Sequence, residues 1–545
     1  MERRLVVAIL LMIAVAVVPS LFLKPAPRPR PVRADTAQAP AAAPETARTG
    51  AAPQEAPVRQ RPPVATAAKA ETVVVATPAA QYRLSSVGAA LVGAEMSAYR
   101  SYAGASRGEP ADLLRAAPPM LGQRLVVGRD TIALDGVSYA AERTAEGAAF
   151  RGRTDQLDLL VAVAPRPGQE YLLDVSGQVD GLGGQGALLL ISLGSGFANV
   201  EADSVSNYRS YGIVGRQAAP VSVAFGKLKP GETTTLDGPF DWVAVKSKYF
   251  IGALLSPDST HPSFGGAIAT GEPRTSRYAV SAEGWATLPV GPDGRFRYSL
   301  YLGPQEYRQL RRLGRGLDKA SPYGWIFKPI VMPVSVWITE VLLWLHQRLS
   351  LAYGWVLILF GIAIRLVLWP LNQKAMMSSV AMQAVQPLLK DIQTRYKDDP
   401  QRLQQEMMKL YREHKVNPFG SCLPMLIPFP ILLALFFVFA NTIAFRGASF
   451  LWLPDLSLRD PTYVIPVVMG ASMWALSKLG QMGMPPNPQA KMMTTIMPIM
   501  MTVLFLNFAS GLNLYYAVSN LVSLPQQYLI NKARVREMAR RKGSA

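Results

Sequence analysis

The sequence predicts a polytopic α-helical membrane protein with six spans and a large all-β sandwich domain after the first span. Half of the 545 residues are hydrophobic and only 17% are charged, a smaller charged share than soluble domains carry. An uncharged apolar stretch opens the chain at Leu5 to Leu23, and five further apolar stretches follow residue 350. Short apolar runs separated by Gly, Pro and Asp fill the region between them.

The net charge indicates what kind of partner the protein binds. The 56 Lys and Arg residues against 37 Asp and Glu give a net charge of +19, which favours a polyanionic partner. Nucleic acid and an anionic lipid surface both fit this charge. The single cysteine, Cys422, cannot form an internal disulfide, and the three histidines are too scattered for a metal site. We therefore expect no metal and no cofactor.

The amino-terminal 70 residues divide into an anchor and a linker. Residues 1–23 have the length of a membrane span and lack a small-residue cleavage site, so we interpret them as an uncleaved transmembrane anchor with Arg3 and Arg4 inside. Residues 24–70 are rich in Pro and Ala and poor in aromatic and β-branched residues. Such a composition predicts a flexible linker.

Residues 71–320 contain short strands at regular spacing, as in TVVVAT, LDLLVAVAP and ALLLISLG, and this predicts one antiparallel sandwich domain. Two short sequence patterns in this region match known motifs, one of dinucleotide-binding proteins and one of hydrolases. The GxGxxG of Gly181 to Gly186 is followed by a strand-like run instead of a helix, and the GxSxG of Gly104 to Gly108 lies in a polar loop. We expect both to be turns. Neither a P-loop lysine motif nor HExxH occurs in the sequence, so we expect no enzymatic activity.

The rest of the chain is predicted to be helical. Residues 321–350 combine Trp residues with Lys328 and Glu340, which is typical of an amphipathic helix lying in the membrane interface. Residues 351–531 contain five predicted spans: 351–371, 423–440, 462–479, 492–508 and 511–530. Between the first two of these, residues 372–417 show helical periodicity on both sides of a KDDP break, which predicts a helical hairpin.

The distribution of Lys and Arg predicts the orientation. The hairpin region 372–417 carries eight of them, whereas the loop at 441–461 carries only Arg446 and Arg459. The tail at 532–545 carries six: Lys532, Arg534, Arg536, Arg540, Arg541 and Lys542. Because positive loops stay in the cytoplasm, both termini and the hairpin are predicted to be cytoplasmic and the β domain to lie outside. The tail is a candidate for contact with ribosomal RNA or anionic lipid.

Two polar features within the predicted spans are candidate functional sites. Arg365 is the one charge in its span, and it either marks a functional site or extends its side chain to the headgroups. In the last span, Asn513, Tyr516 and Asn520 begin a polar stripe that Ser523 and Gln527 continue. The stripe either packs against neighbouring helices or lines a water-filled cavity.

Four long segments carry a resemblance to a known family: RLVLWPL from Arg365, QEMMKLYREHKVNPFGSCLPMLIPFPILLAL from Gln405, DLSLRDPTYVIPVVMG from Asp455 and SGLNLYYAVSNLVSLPQQ from Ser510. They closely resemble the YidC/Oxa/Alb family of membrane protein insertases, and the match covers most of 351–531. The anchor, the large β domain and the interfacial helix are similar to the Gram-negative form. The resemblance implies a bacterial inner-membrane location with a periplasmic β domain.

The resemblance also implies a mechanism and partners. It implies a five-helix insertase core around a hydrophilic groove, with Arg365 inside the groove and Tyr516 as a substrate contact. From the polar stripe, Asn513 and Asn520 are added as predicted groove residues. Family members can carry a polar residue one turn before the arginine, where this chain has Gly361. The implied partners are nascent membrane proteins, the ribosome, the Sec translocon and membrane lipids, with no small-molecule substrate.

Two other classes of function are weighed against the insertase. A secondary transporter should show paired repeats and broken helices around a midplane site, and the sequence shows no such pairing. An intramembrane hydrolase needs a Ser/His or paired Asp constellation within the spans, which this sequence lacks. The secondary transporter is kept as the alternative.

Overall fold

The computed structural model describes residues 70–217, 219–258, 261–274, 280–321, 327–373, 385–397, 399–414, 416, 429–482 and 488–543. The predicted anchor at 1–23 and all but the last residue of the predicted linker lie outside these ranges.

The amino-terminal part of the described chain is built of three antiparallel sheets. A four-stranded sheet has the order β1-β2-β3-β4, a nine-stranded sheet the order β13-β12-β15-β16-β19-β10-β9-β8-β7, and a six-stranded sheet the order β14-β17-β18-β11-β5-β6. The strands are β1 Thr72–Ala76, β2 Ala80–Ser85, β3 Leu91–Arg100, β4 Pro110–Asp112, β5 Gln123–Val127, β6 Asp130–Ala133, β7 Tyr139–Thr144, β8 Gly147–Arg153, β9 Asp158–Pro165, β10 Leu172–Asp180, β11 Ala187–Gly194, β12 Gly212–Arg216, β13 Pro220–Ala224, β14 Thr233–Phe240, β15 Trp242–Lys246, β16 Phe250–Leu255, β17 Phe264–Gly271, β18 Ala282–Val290 and β19 Arg295–Pro304.

Alternating burial along the strands explains why they form. In β14 every second residue turns inward, and β9 repeats the same pattern. Buried side chains from all three sheets, among them Tyr82, Trp242 and Phe264, belong to one continuous hydrophobic core. A β-rich domain is therefore confirmed in the region where the sequence predicts it.

Both catalytic motifs prove to be turns. Gly181 and Gly183 have positive φ angles and the residues that follow form strand β11, so this GxGxxG does not start a helix. The GxSxG segment is a short 3-10 turn at Gly104–Ser106. Neither motif has the local backbone structure that its chemistry requires.

Ten α-helices are described. The first two accompany the β domain, and the other eight form the helical carboxy-terminal region. They are α1 Ser204–Arg209, α2 Tyr307–Leu313, α3 Lys328–Leu349, α4 Tyr353–Val367, α5 Gln386–Arg395, α6 Pro400–Glu413, α7 Phe429–Asn441, α8 Val464–Gly480, α9 Pro488–Phe505 and α10 Ser510–Gly543. Short 3-10 turns stand at Phe225–Lys227, Leu317–Lys319 and Ile443–Phe445 as well.

Helices α3, α4, α7, α8, α9 and α10 share a second hydrophobic core. Ile338 of α3, Phe360 of α4 and Val438 of α7 are almost fully buried in it. The helix α3 is the segment that the sequence predicts to lie in the interface, and the Ser335 hydroxyl on it donates a hydrogen bond of 3.2 Å to the carbonyl of Ala434 on α7. This helix therefore packs into the helical region along one side.

The outer surface of the helical region is apolar. In the described part of the β-rich region, Val74 and Val221 are the only large hydrophobic side chains that are exposed, whereas the others lie between Ile330 and Leu529. By length and composition, one described helix, Lys328–Leu349, could cross a bilayer, and four apolar helices are shorter: Tyr353–Val367, Phe429–Asn441, Val464–Gly480 and Thr494–Phe505. Exposed apolar helix surface of this extent indicates contact with lipid or with other apolar chains.

The last helix is longer than the sequence predicts. The predicted tail begins at residue 532, but α10 continues through that boundary to Gly543. The reason is local, because residues 531–542 contain neither Gly nor Pro and are rich in Ala, Arg, Met and Lys, which favour helix.

Two helices lie in the predicted hairpin region. The side chain of Asp399 caps α6 by accepting a hydrogen bond from the backbone N–H of Arg402 at 3.0 Å. Val385, Leu410 and Val416 form a small buried cluster between α5 and α6. The two helices therefore pack against each other through their own apolar contacts.

A buried ion pair joins the β domain to the loop between α7 and α8. The Nε of Arg446 lies 2.7 Å from Oε2 and 3.0 Å from Oε1 of Glu201, and its Nη2 donates to the carbonyl of Val200 at 2.9 Å. The two side chains are only 3% and 7% exposed. The guanidinium also lies over the ring of Tyr102, 4.7 Å from its centroid. Desolvation raises the pKa of the Glu201 carboxyl, although Arg446 opposes the shift.

Neighbouring contacts make the same junction tight. Gly447 has a φ of +70°, and a Cβ atom there would overlap the hydroxyl of Tyr102. Ile443, from the same loop, is buried in the core of the β domain. On the other side, Arg308 of α2 donates to Gln347 of α3 at 2.9 Å and lies 3.3 Å from Glu340. The loop and α3 are therefore both fastened to the β domain.

We predict that Arg446→Met destabilises the full-length protein by about 3–5 kcal/mol at neutral pH, because it leaves the Glu201 carboxylate buried without its partner. This destabilisation should become smaller as the pH falls towards 4.5, which is the ordinary pKa of a glutamate. The folded-state pKa of Glu201 is raised above the unfolded value, so protonation favours the folded state and removes the unpaired charge. Thermal unfolding of the protein in detergent over a pH series measures this.

The matched control is Arg308→Met, which breaks the more exposed junction pair and should cost about 0–1 kcal/mol with little dependence on pH. Equal losses in the two variants at neutral pH would contradict the assignment of Arg446–Glu201 as the principal junction contact.

Candidate functional site

Arg365 lies in the last turn of α4, where its side chain faces α10. Its Nε donates a hydrogen bond of 3.3 Å to the hydroxyl of Ser519 on α10. The residue is half-buried. The contact brings together two residues that are 154 positions apart in the sequence.

The charge of Arg365 is not compensated locally. Within the ranges that the structure describes, no carboxylate lies within 4.0 Å of its guanidinium. This differs from Arg446, whose carboxylate partner is buried with it. A half-buried cation without an ionic partner can attract a negative group from outside the protein.

The predicted polar stripe on α10 divides into different environments. Asn513 is fully buried, and its amide donates to the carbonyl of Phe505 at 3.0 Å while its Oδ1 lacks a hydrogen-bond partner. Asn520 donates to the hydroxyl of Ser472 on α8 at 3.2 Å. Tyr516 is partly buried and packs edge-on against Phe505. The two asparagines therefore make packing contacts in this structure, and Tyr516 contacts an aromatic neighbour.

Polar contacts of α10 continue towards its carboxyl end. Gln526 donates to the carbonyl of Trp369 just after α4 at 3.2 Å, and Asn531 donates to the carbonyl of Leu479 on α8. These bonds hold α10 between α4 and α8. Such side-chain bonds to backbone carbonyls fix the helix positions around Arg365.

Sequence reasoning missed the partner of Arg365. Tyr515 and Ser519 are spaced four residues apart and form a second row beside the predicted stripe, to which Ser523 belongs. The Arg365 contact falls on this row, at Ser519. The four-residue spacing could have identified this row as a polar face of α10, but it does not show which of two adjacent rows faces α4.

Gly361 lies one turn before Arg365 and is buried against α10. A Cβ atom at this position would lie 3.4 Å from Val518 and 3.5 Å from Tyr515, which are ordinary van der Waals distances. There is therefore room for a small side chain, and the absence of a polar residue here is not forced by packing.

The six basic residues predicted to contact ribosomal RNA or lipid lie in the last part of α10. Lys532 is exposed, with its ammonium 5.9 Å from the ring centroid of Tyr528. The other five, Arg534, Arg536, Arg540, Arg541 and Lys542, fall in the helical segment that ends at Gly543.

An apolar, outward-facing helical region joined to a β-rich domain with an inward-facing core defines an integral membrane protein with a separate water-facing domain. The sequence model of the 60Kd inner membrane protein matches residues 344–537, and the model of the YidC periplasmic domain matches residues 169–345. Together the two models cover residues 169–537, which confirms the resemblance to the YidC family that the sequence shows.

Curated relatives carry the same family name. A membrane protein insertase YidC from Syntrophus aciditrophicus (strain SB) is 35% identical over 344 residues, which is 62% of this chain and 60% of the relative. Another, from Cupriavidus taiwanensis, is 38% identical over 296 residues, 53% of this chain and 50% of the relative. The matches thus span only about half to three fifths of these relatives. Their names describe insertases, in agreement with the prediction that the chain is not an enzyme.

A solved structure is also similar. The crystal structure of an active YidC insertase with its first transmembrane domain resolved aligns with 84% of this chain and 92% of its own, at 17% identity and a TM-score of 0.35.

We predict opposite effects for the same substitution at two glycines of α4. Gly361→Ala should stabilise the protein by about 0.5–1 kcal/mol, because alanine favours helix and the space around residue 361 accepts a methyl group. Gly354→Ala should destabilise it by about 1–3 kcal/mol, because its Cβ would overlap the ring of Phe450. Thermal unfolding of both variants measures the difference, and a loss at Gly361 as large as that at Gly354 would show that the α4–α10 contact is tighter than described.

Proposed function

We propose that the chain is a membrane protein insertase and chaperone that moves hydrophilic segments of nascent inner-membrane proteins across the membrane and helps them fold. The observation that carries the proposal is Arg365, a half-buried cation between α4 and α10 with no described carboxylate partner. The names of the family and of the curated relatives support it. No cofactor enters the proposal.

The proposed mechanism is electrostatic. A fixed guanidinium in a site of low dielectric constant attracts carboxylates more strongly than it would in water. Because arginine stays protonated at any physiological pH, the attraction is permanent. A groove at this point would shorten the apolar distance that a polar segment must cross, and water in it would lower the cost of burying Arg365 itself. Tyr516, beside Arg365, and the α10 polar residues Asn513 and Asn520 are the proposed lining.

The proposed topology has six spans with both termini in the cytoplasm. It rests on the excess of Lys and Arg in 372–417 and 532–545, and on the apolar surface of the helical region. The β domain is then periplasmic, in keeping with the family's periplasmic domain. Helices such as α4 and α7 are short. Under this proposal they cross the bilayer only together with the apolar residues that flank them.

Partnership with the Sec translocon is proposed from the resemblance alone. Partnership with the ribosome or with anionic lipid rests on the six basic residues at the end of α10. Basic side chains bind phosphates by releasing counterions, so such contacts weaken as salt rises.

For Arg365, we predict that Arg365→Ala lowers insertion of a substrate with an acidic translocated segment by about tenfold or more, since a Coulomb attraction of a few kcal/mol is lost. A substrate with an uncharged translocated segment should be much less affected. Arg365→Lys should keep most of the activity if charge alone matters. Insertion into reconstituted vesicles, at matched protein levels, measures all of these.

Arg348→Ala is the matched control, because Arg348 is exposed near the end of α3 and its loss removes the same charge. It should leave both substrates unaffected. Equal insertion of both substrates by Arg365→Ala would overturn the proposed groove and would favour an arginine that only extends to the headgroups. Solute uptake by the same vesicles would support the secondary transporter instead.

For the tail, we predict that replacing the six basic residues from Lys532 to Lys542 by glutamine weakens ribosome binding and flattens its salt dependence, because counterion release is lost. Co-sedimentation with ribosomes over a salt series measures this. Unchanged co-sedimentation would remove the tail from the ribosome interface and leave anionic lipid as its partner.

A further inference from the structure

A basic pocket lies where the β domain meets the start of α3. It has a volume of about 760 Å³ and is lined by Arg216 at the end of β12, Asp241 before β15, residues of α2 and the following 3-10 turn, and Met332 of α3. Its charged side chains are Arg216, Arg311, Arg315, Lys319, Asp241 and Asp318. The proposed function uses none of them.

The cations of this pocket exceed what its own carboxylates can neutralise. Asp241 is engaged by Arg315, whose Nη1 lies 3.3 Å from Oδ1, and Arg315 is held further by the carbonyls of Ser256 and Pro257. In the described ranges, no carboxylate lies within 4.0 Å of the side-chain nitrogens of Arg216 or Lys319. Against these two cations stands Asp318, the remaining carboxylate of the lining, so the pocket keeps a net positive charge for an anion.

The backbone holds one of these cations in place. Gly316 has a φ of +64°, and a Cβ atom on it would lie 2.8 Å from Nη1 of Arg216. The guanidinium of Arg216 therefore lies against the backbone at Gly316. An arginine positioned in this way loses little freedom on binding an oxyanion, and its planar fork suits a phosphate group.

The apolar neighbour of the pocket indicates the kind of anion. Met332 forms part of its wall, and the same helix exposes Ile330, Trp337 and Trp344. Tryptophan side chains on an exposed apolar helix face are typical of the membrane interface. Because these side chains place α3 at the membrane surface, a basic pocket at the start of α3 lies at the level of the lipid headgroups, which favours a phospholipid over an acidic peptide.

We propose that the basic pocket binds the phosphodiester headgroup of an anionic phospholipid, with Arg216 and Lys319 as its ionic contacts and the acyl chains in the adjoining bilayer. The proposal requires that α3 lie at the membrane surface. It does not require insertase activity, so the two can fail separately.

The test uses the full-length protein in an uncharged detergent and native mass spectrometry, with short-chain phosphatidylglycerol as the probe and phosphatidylcholine of the same chain length as the neutral comparison. Arg216→Gln/Lys319→Gln is the pocket variant. Arg143→Gln/Arg151→Gln is the control, because it removes the same charge from exposed positions on β7 and β8. We expect phosphatidylglycerol affinity to fall about tenfold in the pocket variant only, and phosphatidylcholine to be unaffected.

Equal binding of phosphatidylglycerol by all three proteins would overturn the proposal. So would displacement of the bound lipid by an equal concentration of glycerol phosphate, since this would assign the pocket to a soluble phosphate. Binding of a glutamate-rich peptide that depends on the pocket, without such dependence for the lipid, would assign it to a peptide. Should the double variant fold poorly, Lys319→Gln alone serves, because Lys319 is exposed, and it should still weaken lipid binding at least threefold.

Discussion

The buried ion pair between Arg446 and Glu201 is the contact on which the arrangement of the two halves of the molecule depends. It joins a loop between two apolar helices to a β domain that has its own core. A lone buried charge is costly, so each partner requires the other in place. Ile443 and Gly447 flank the arginine and also contact the β domain. The ends of α7 and α8 that this loop joins are therefore positioned by a domain that is distant in sequence.

The two halves obey opposite rules of burial. The described β domain hides nearly all its large apolar side chains, with Val74 and Val221 as the exposed cases, whereas the helical region turns many of them outward. Only a surrounding solvent that is itself apolar makes the second arrangement stable. Polar groups in that half are accordingly drawn inward, where Asn520 meets Ser472 and Arg365 meets Ser519.

The sequence was informative where a feature depends on local pattern. Short apolar runs predicted strands such as β9 and β11, and the strand-like run after Gly186 showed that the GxGxxG there is a turn. The helix α10 runs through the predicted boundary at residue 532 to Gly543, because the composition of the tail favours helix. Contacts between distant segments were not predictable: Arg446 and Glu201 are 245 residues apart, and the periodicity of α10 could not show that Ser519 faces Arg365.

Three arginines illustrate how surroundings assign different tasks to one side chain. Arg446 forms a buried ion pair with a carboxylate, so its charge is not available to a ligand. Arg315 is divided between Asp241 and backbone carbonyls, which makes it a fixed wall of the basic pocket. Arg365 has a hydroxyl as its described hydrogen-bond partner, and a neutral partner orients a cation without neutralising it. Of these three charges, only the one at Arg365 has no ionic partner among the described residues, which is why the proposed mechanism rests on it.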